Sequence, residues 1–166
     1  MSILVSDTSV LIDLERANLV REVFGLPYQF AVPDLLYKNE LAGALGDQLV
    51  AYGLVIETLT PGEVRAAQLV RQQDARLSLP DAFAFAIAKS RAWALLTGDG
   101  ALRERSMAEG VSMHGVLWLF DELANGNHVP FGQLHQSLST LAGHSRCRLP
   151  RTAVRERLQR FDQAAP

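Results

Sequence analysis

Residues 3–14 read ILVSDTSVLIDL, and the interpretation of that stretch sets the fold. Ile3, Leu4 and Val5 form a short continuous apolar run, the signature of a strand buried on both faces. Ser6, Asp7, Thr8 and Ser9 then bring the chemistry of a turn or helix N-cap, and from Val10 the apolar spacing becomes helical. A carboxylate at the end of a buried strand is costly unless something pairs with it. Asp7 has no basic neighbour until Arg16. Either it is a turn residue that escapes to water, or its partner is a cation that the chain does not encode.

The same grammar recurs at residues 92–100, AWALLTGDG, where an apolar strand ends in a turn carrying Asp99. Between and beyond these two stretches, strands alternate with helical patterns. A helix is expected from Val10 to about Phe24, a strand at Phe30–Val32, and a helix from Pro33 and Asp34 to about Leu45. A third strand is expected near Leu54–Leu59. Thr60 and Glu63 stand at capping-box spacing with Pro61 at the first helical position, opening a helix to about Arg76. SLPDAFAFAIAKSRA, from Ser78, is dense in small and apolar residues and reads as a buried helix. ALRERSMAEG is a further helix with a Gly stop, VSMHG a last strand, and three helical patterns follow Gly115 (Val116–Ala124, Phe131–Leu141 and Pro150–Phe161). Such alternation argues for an α/β layer fold around a mostly parallel sheet. In sheets of that kind ligands bind beyond the carboxyl ends of the strands, so Asp7 and Asp99 are expected to face one crevice.

Two further acids are candidates for that crevice: Asp81, in the first turn of the small-residue helix, and Glu40, inside the helix after Pro33. Hard-cation binding is the chemistry that needs such a set, because Mg²⁺ takes oxygen ligands and is held by one or two carboxylates with its own waters. Without a cation the set repels itself, at about 4 kcal/mol per pair for charges ~4 Å apart at an effective dielectric of 20. Each acid also has an ordinary role when taken singly. Asp81 lies at capping-box spacing from Ser78, Asp99 sits in a common turn composition, and Glu40 alone reads as a solvated helix residue.

ILVSDTSVLIDL, NEL and LSLPDAFAFAIAKSRAWALLTGDGALRERSMAEGVSMHG together resemble the successive blocks of PIN-domain ribonucleases, particularly the toxins of VapBC-type toxin–antitoxin pairs. The resemblance runs from Ile3 to about Gly115. It implies a three-layer α/β/α sandwich, a site binding Mg²⁺ or Mn²⁺, and hydrolysis of RNA phosphodiester bonds. Asp7, Glu40, Asp81 and Asp99 match the family's acids, as catalytic and metal-holding residues, with Asp34 the competitor of Glu40 for the mid-chain position. Ser9 and Thr97 match hydroxyls that contact the metal's waters or ligands. The resemblance also implies an antitoxin partner and admits a homodimer. On this reading residues 1–115 form the nuclease core and residues 116–166 a helical C-terminal extension packed on it. The rival expectation is a PIN-like module that holds a partner chain and has little or no nuclease activity. Leu36, Tyr37 and Leu41 are candidates for its groove, or for core packing.

Composition narrows the classes further. The chain has 166 residues, 48% hydrophobic and 20% charged, with a formal net charge of −2, which gives no global attraction to nucleic acid. Local charge differs: between residues 146 and 160 stand Arg146, Arg148, Arg151, Arg155, Arg157 and Arg160 against the single acid Glu156. Such a patch attracts phosphate, or serves as a solvated helix face. Arg103, Arg105 or this late cluster would contact the RNA backbone. A lone cysteine, Cys147, excludes an intrachain disulfide and suits a reducing compartment. No stretch approaches the roughly 20 apolar residues of a membrane span, and the first residues lack signal-peptide character, so a cytoplasmic, non-membrane protein is expected. The four histidines are scattered. A haloacid-dehalogenase-type phosphatase would need an acid two residues after Asp7, where Ser9 stands. A response-regulator receiver needs a lysine late in the sheet, and the only lysines are Lys38 and Lys89.

Overall fold

The computed structural model describes residues 1–163; the last three residues of the expected C-terminal extension, 164–166, lie outside the described residues. Five strands form one sheet in the order β3-β2-β1-β4-β5, and every pairing is parallel. They are β1 (Ser2–Ser6), β2 (Tyr28–Pro33), β3 (Val55–Glu57), β4 (Ala94–Leu96) and β5 (Met113–His114). The register pairs Val5 with Ala31 on one side and with Leu95 on the other. From β1 the chain first builds outward through β2 and β3, then returns to lay β4 on the other side of β1. The order in which strands are added therefore reverses between β1 and β4, and that switch point opens a crevice at the carboxyl ends of the strands.

Alternation along the strands divides the core into two layers. Leu4, Phe30, Val32 and Leu96 point to one face, where they meet α1 (Thr8–Arg16), α2 (Val20–Phe24), α8 (Val116–Asn125), α9 (Phe131–Ala142) and α10 (Arg151–Gln163). Val5 and Leu95 point to the other, against α5 (Pro61–Gln73), α6 (Leu79–Arg91) and α7 (Gly100–Glu109). Helices cover both faces of the sheet, giving the three-layer α/β/α sandwich. The helices after Gly115 supply Phe120, Leu123, Leu134, Leu138, Val154 and Phe161 to the same buried cluster as Leu4 and Phe30. No helix among the described residues is long and apolar enough to cross a membrane.

The helix expected from Val10 to Phe24 is two helices. Asn18 adopts the left-handed conformation at φ 56°, with Asn18 N–H bonded to the Glu15 carbonyl and Leu19 N–H to the Leu14 carbonyl. That is a Schellman stop, and asparagine tolerates it better than most residues. The helix expected from Pro33 to Leu45 is also broken. A short turn, α3 (Asp34–Leu36), runs into a π-helical turn at Tyr37–Leu41, closed by Ala42 N–H on the Tyr37 carbonyl. Gly43, at φ 131°, then resets the direction before α4 (Ala44–Ala51). Gly46 of α4 lies so close to this turn that a Cβ there would sit 2.5 Å from the Leu41 carbonyl oxygen and 2.8 Å from the Tyr37 hydroxyl. Leu36 and Leu41, candidates for a partner groove, are core residues at 0% and 3% exposure, and Tyr37 is half-buried against them. Both capping boxes form: Thr60 with Glu63 opens α5, and Ser78 with Asp81 opens α6.

Candidate functional site

Three of the four acids occupy helix N-termini at the same end of the sheet. Asp7 follows β1 and caps α1, its Oδ1 accepting the Val10 N–H at 3.0 Å. Asp99 follows β4 and caps α7, its Oδ1 accepting the Leu102 N–H at 2.9 Å. Asp81 stands at the third position of α6, paired reciprocally with Ser78 through bonds of 3.1 and 3.4 Å. The turn and capping chemistry read from the sequence is therefore present at all three. At Asp81 and Asp99 capping engages one carboxylate oxygen and leaves the other uncommitted among the described residues. Helix N-termini also favour negative charge, which partly offsets the cost of gathering carboxylates there.

Adjacent parallel strands bring Asp7 and Asp99 together. Ser6 pairs in register with Leu96, and Asp7 N–H continues the ladder onto the Leu96 carbonyl at 2.9 Å. One residue further, Thr97 is 1% exposed. Its hydroxyl donates to Asp7 Oδ2 at 2.6 Å and accepts the Asp99 N–H at 3.0 Å. Ser9 donates to Asp7 Oδ1 at 2.9 Å. Both hydroxyls singled out in the sequence thus touch the Asp7 carboxylate.

Asp7 is 3% exposed and has no cation to pair with among the described residues. Burial pushes its carboxyl up to about 6, against the opposing pull of bonds from Thr97, Val10 and Ser9, and the charge on Asp81 adds to the rise. Asp81 is raised as well, by burial first and then by the charges of Asp99 and Glu40. Asp81 thus lies within electrostatic range of Asp7 on one side and of Asp99 and Glu40 on the other.

Glu40 reaches this neighbourhood from the π-helical turn. It is exposed, and Thr8 donates a hydrogen bond from its hydroxyl to Glu40 Oε2. Thr8 had no place in the sequence reading of the site, although its position beside Asp7 was a signal. Asp34, the competitor of Glu40, turns its Oδ1 back onto the Leu35 N–H at 2.7 Å. Arg103 is exposed on α7 one turn after Asp99. Arg105 is engaged elsewhere: its guanidinium bonds Glu109 and Gln73 and lies 5.8 Å from the Phe85 ring centre.

Oxygen-only donors suit a hard divalent ion. Asp81 Oδ1, Asp99 Oδ2 and Glu40 Oε1 accept no hydrogen bond among the described residues, which leaves one oxygen of each for a cation or its waters. Among the described residues, however, no three acidic, histidine or cysteine side chains are already grouped tightly enough to cage an ion. The donor chemistry fits a divalent metal held through few direct bonds, with water completing the shell.

No protein of curated function matches the sequence. Among solved structures, a PilT N-terminus domain protein from the hyperthermophilic archaeon Sulfolobus solfataricus has the same fold, with a TM-score of 0.52 at 15% identity over 72% of this chain and 90% of that one. The DUF3368 family, described as a PIN domain, matches residues 3–163, so the match takes in the helices beyond Gly115 as well as the strands that carry the acids. PIN domains are typically nucleases that use divalent metal ions. The chain belongs to this DUF3368 family of PIN domains.

Proposed function

We propose that the protein is a divalent-metal-dependent endoribonuclease whose centre comprises Asp7, Glu40, Asp81 and Asp99. The observation that carries this reading is the buried Asp7 at the switch point, without a cationic partner among the described residues, tied through Thr97 to Asp99 and raised in pKa by burial first and by the charge of Asp81 in addition. A cation beside that carboxylate would offset the cost of burying its charge, and PIN-family membership supports a nuclease reaction.

Asp7, Asp81, Asp99 and Glu40 would hold Mg²⁺ or Mn²⁺. When bound, the ion polarises the scissile phosphoryl oxygen and lowers the pKa of water. The protein's own residues preorganise the site. Thr97 and Ser9 fix the Asp7 carboxylate by holding both its oxygens, and backbone N–H groups at the α1 and α7 N-termini each hold one oxygen of Asp7 and Asp99. Thr8 restrains Glu40, which stands at the exposed rim of the crevice, where an incoming strand and its attacking water are accessible.

The resemblance of residues 3–115 to VapBC-type toxins supports a toxin role, with an antitoxin as partner. Expression of the wild-type chain alone should then arrest growth, and Asp99→Asn should relieve the arrest. The biochemical test is incubation with labelled single-stranded RNA. Cleavage that needs Mg²⁺ or Mn²⁺ and stops in excess EDTA supports the reading; undiminished cleavage in EDTA overturns it.

A further inference from the structure

The arginines of the C-terminal segment fall into two sets. Arg157 and Arg160 are structural: Arg157 binds Asp121 through bonds of 3.0 and 2.7 Å, and Arg160 donates to Asn125 at 2.7 Å. Arg146, Arg148, Arg151 and Arg155 are all exposed, and their side chains make no hydrogen bond or ion pair among the described residues. Four unpaired cations within ten residues repel one another, a cost that a fold with no use for an anion could relieve with a nearby acid.

Their position gives them a use. Arg146 and Arg148, in the loop between α9 and α10, line a cavity of about 260 Å³ together with Ser9, Gly98 and Asp99 of the acidic crevice. Arg16 of α1 lies in the same wall, 3.8 Å from its partner Asp13, which also lines the cavity. Leu149 lines both this space and a second cavity of about 500 Å³, whose lining includes Arg151 and Arg155. A cationic path thus leads from the acids, past Arg146 and Arg148, to Arg151 and Arg155 on the first turns of α10.

We propose that this path is a binding track for the phosphodiester backbone of a single-stranded nucleic acid, with Arg146 and Arg148 holding the phosphates nearest the acidic centre and Arg151 and Arg155 the next ones. It rests on the nucleic-acid reading of that centre. The track supplies the positive charge that an acidic site cannot: a polyanion approaching four carboxylates is repelled unless cations flank them. It also assigns a role to the helices beyond Gly115, which set the loop of Arg146 and Arg148 against the turn that carries Asp99.

The test is fluorescence anisotropy of a labelled short oligouridylate with the full chain in EDTA, so that no cleavage intervenes, across about 50 to 200 mM salt. Arg146→Gln/Arg148→Gln should weaken binding about tenfold at the low end and flatten the salt dependence by about 1.4 in log–log slope, the value for two contacts to a single strand. Arg146→Lys/Arg148→Lys should restore the slope, because a salt-dependent phosphate contact needs charge rather than a guanidinium fork. Arg71→Gln, on α5 in the opposite layer, should bind as the wild type does. Wild-type affinity and slope in the double Gln variant would overturn the track, even if Asp99→Asn abolished cleavage. Loss of binding in that variant, in a protein that never cleaves RNA, would overturn the nuclease reading and leave the track standing.

Discussion

The Thr97 hydroxyl donates a 2.6 Å hydrogen bond to Asp7 Oδ2 and accepts the Asp99 N–H at 3.0 Å, so a single side chain ties the acids that follow β1 and β4. The bond to Asp7 favours the charged carboxylate and opposes the rise that burial causes. Thr97→Val keeps the shape and removes the donor, which should push the Asp7 carboxyl above its present value of about 6. A ¹³C NMR titration of the Asp7 carboxyl reads this directly. An unchanged midpoint would show that Thr97 does not tune it.

Asp7 also makes stability depend on pH, with a definite sign. Its carboxyl moves from 3.8 to about 6 on folding, so the folded state holds the proton more tightly. The resulting stabilisation is complete below pH 3.8 and is lost as pH rises through about 6, where the buried charge costs about 3 kcal/mol. In the absence of divalent ions, Asp7→Asn should therefore be more stable than the wild type at neutral pH, and the difference should shrink toward pH 4. Added Mg²⁺ should narrow the neutral-pH gap by stabilising only the protein that binds it. Urea denaturation across that pH range checks both, and a pH-independent difference would contradict the assignment.

Ala92 ends α6 in the left-handed conformation at φ 55°, with Trp93 N–H on the Ala88 carbonyl. A residue with a Cβ is strained there, and glycine is not. Because the side chain is exposed, Ala92→Gly should stabilise the protein by about 1 kcal/mol. A fall in thermal midpoint would contradict the Schellman geometry at this helix end.

Gly46 tests the seat of Glu40. Any Cβ at this position meets the Leu41 carbonyl oxygen at 2.5 Å, and backbone cannot swing aside as a long side chain can. Gly46→Ala should cost about 1–3 kcal/mol and displace the π-helical turn. On the proposed mechanism it should also lower RNA cleavage without touching any acid. A variant with unchanged stability and cleavage would show that the turn tolerates displacement.

Much of the sheet was legible because parallel strands buried on both faces read as apolar runs, and ILV and ALL mark β1 and β4 plainly. The juxtaposition of Asp7 and Asp99 followed from those two runs together with the rule that sites lie at carboxyl strand ends, whereas Thr97 was marked only by the family resemblance. The stop at Asn18 was hidden by the apolar periodicity that continues across it from Leu14 to Val20. The π-helical turn carries no composition of its own, so the single-helix reading could not foresee how Glu40 is presented. Arg146 and Arg148 stood out as charge, but their place beside Asp99 depends on how α9 and α10 dock, a long-range outcome that local pattern does not encode.

The central claim is that carboxylates gathered at the β1–β4 switch point form a metal-dependent nuclease centre. Cleavage of single-stranded RNA in Mg²⁺ or Mn²⁺ by the wild type, Asp7→Asn and Asp99→Asn, with circular dichroism to verify the fold, tests it most directly. Both variants should stay folded and lose metal-dependent cleavage. Full cleavage by both folded variants would contradict that claim.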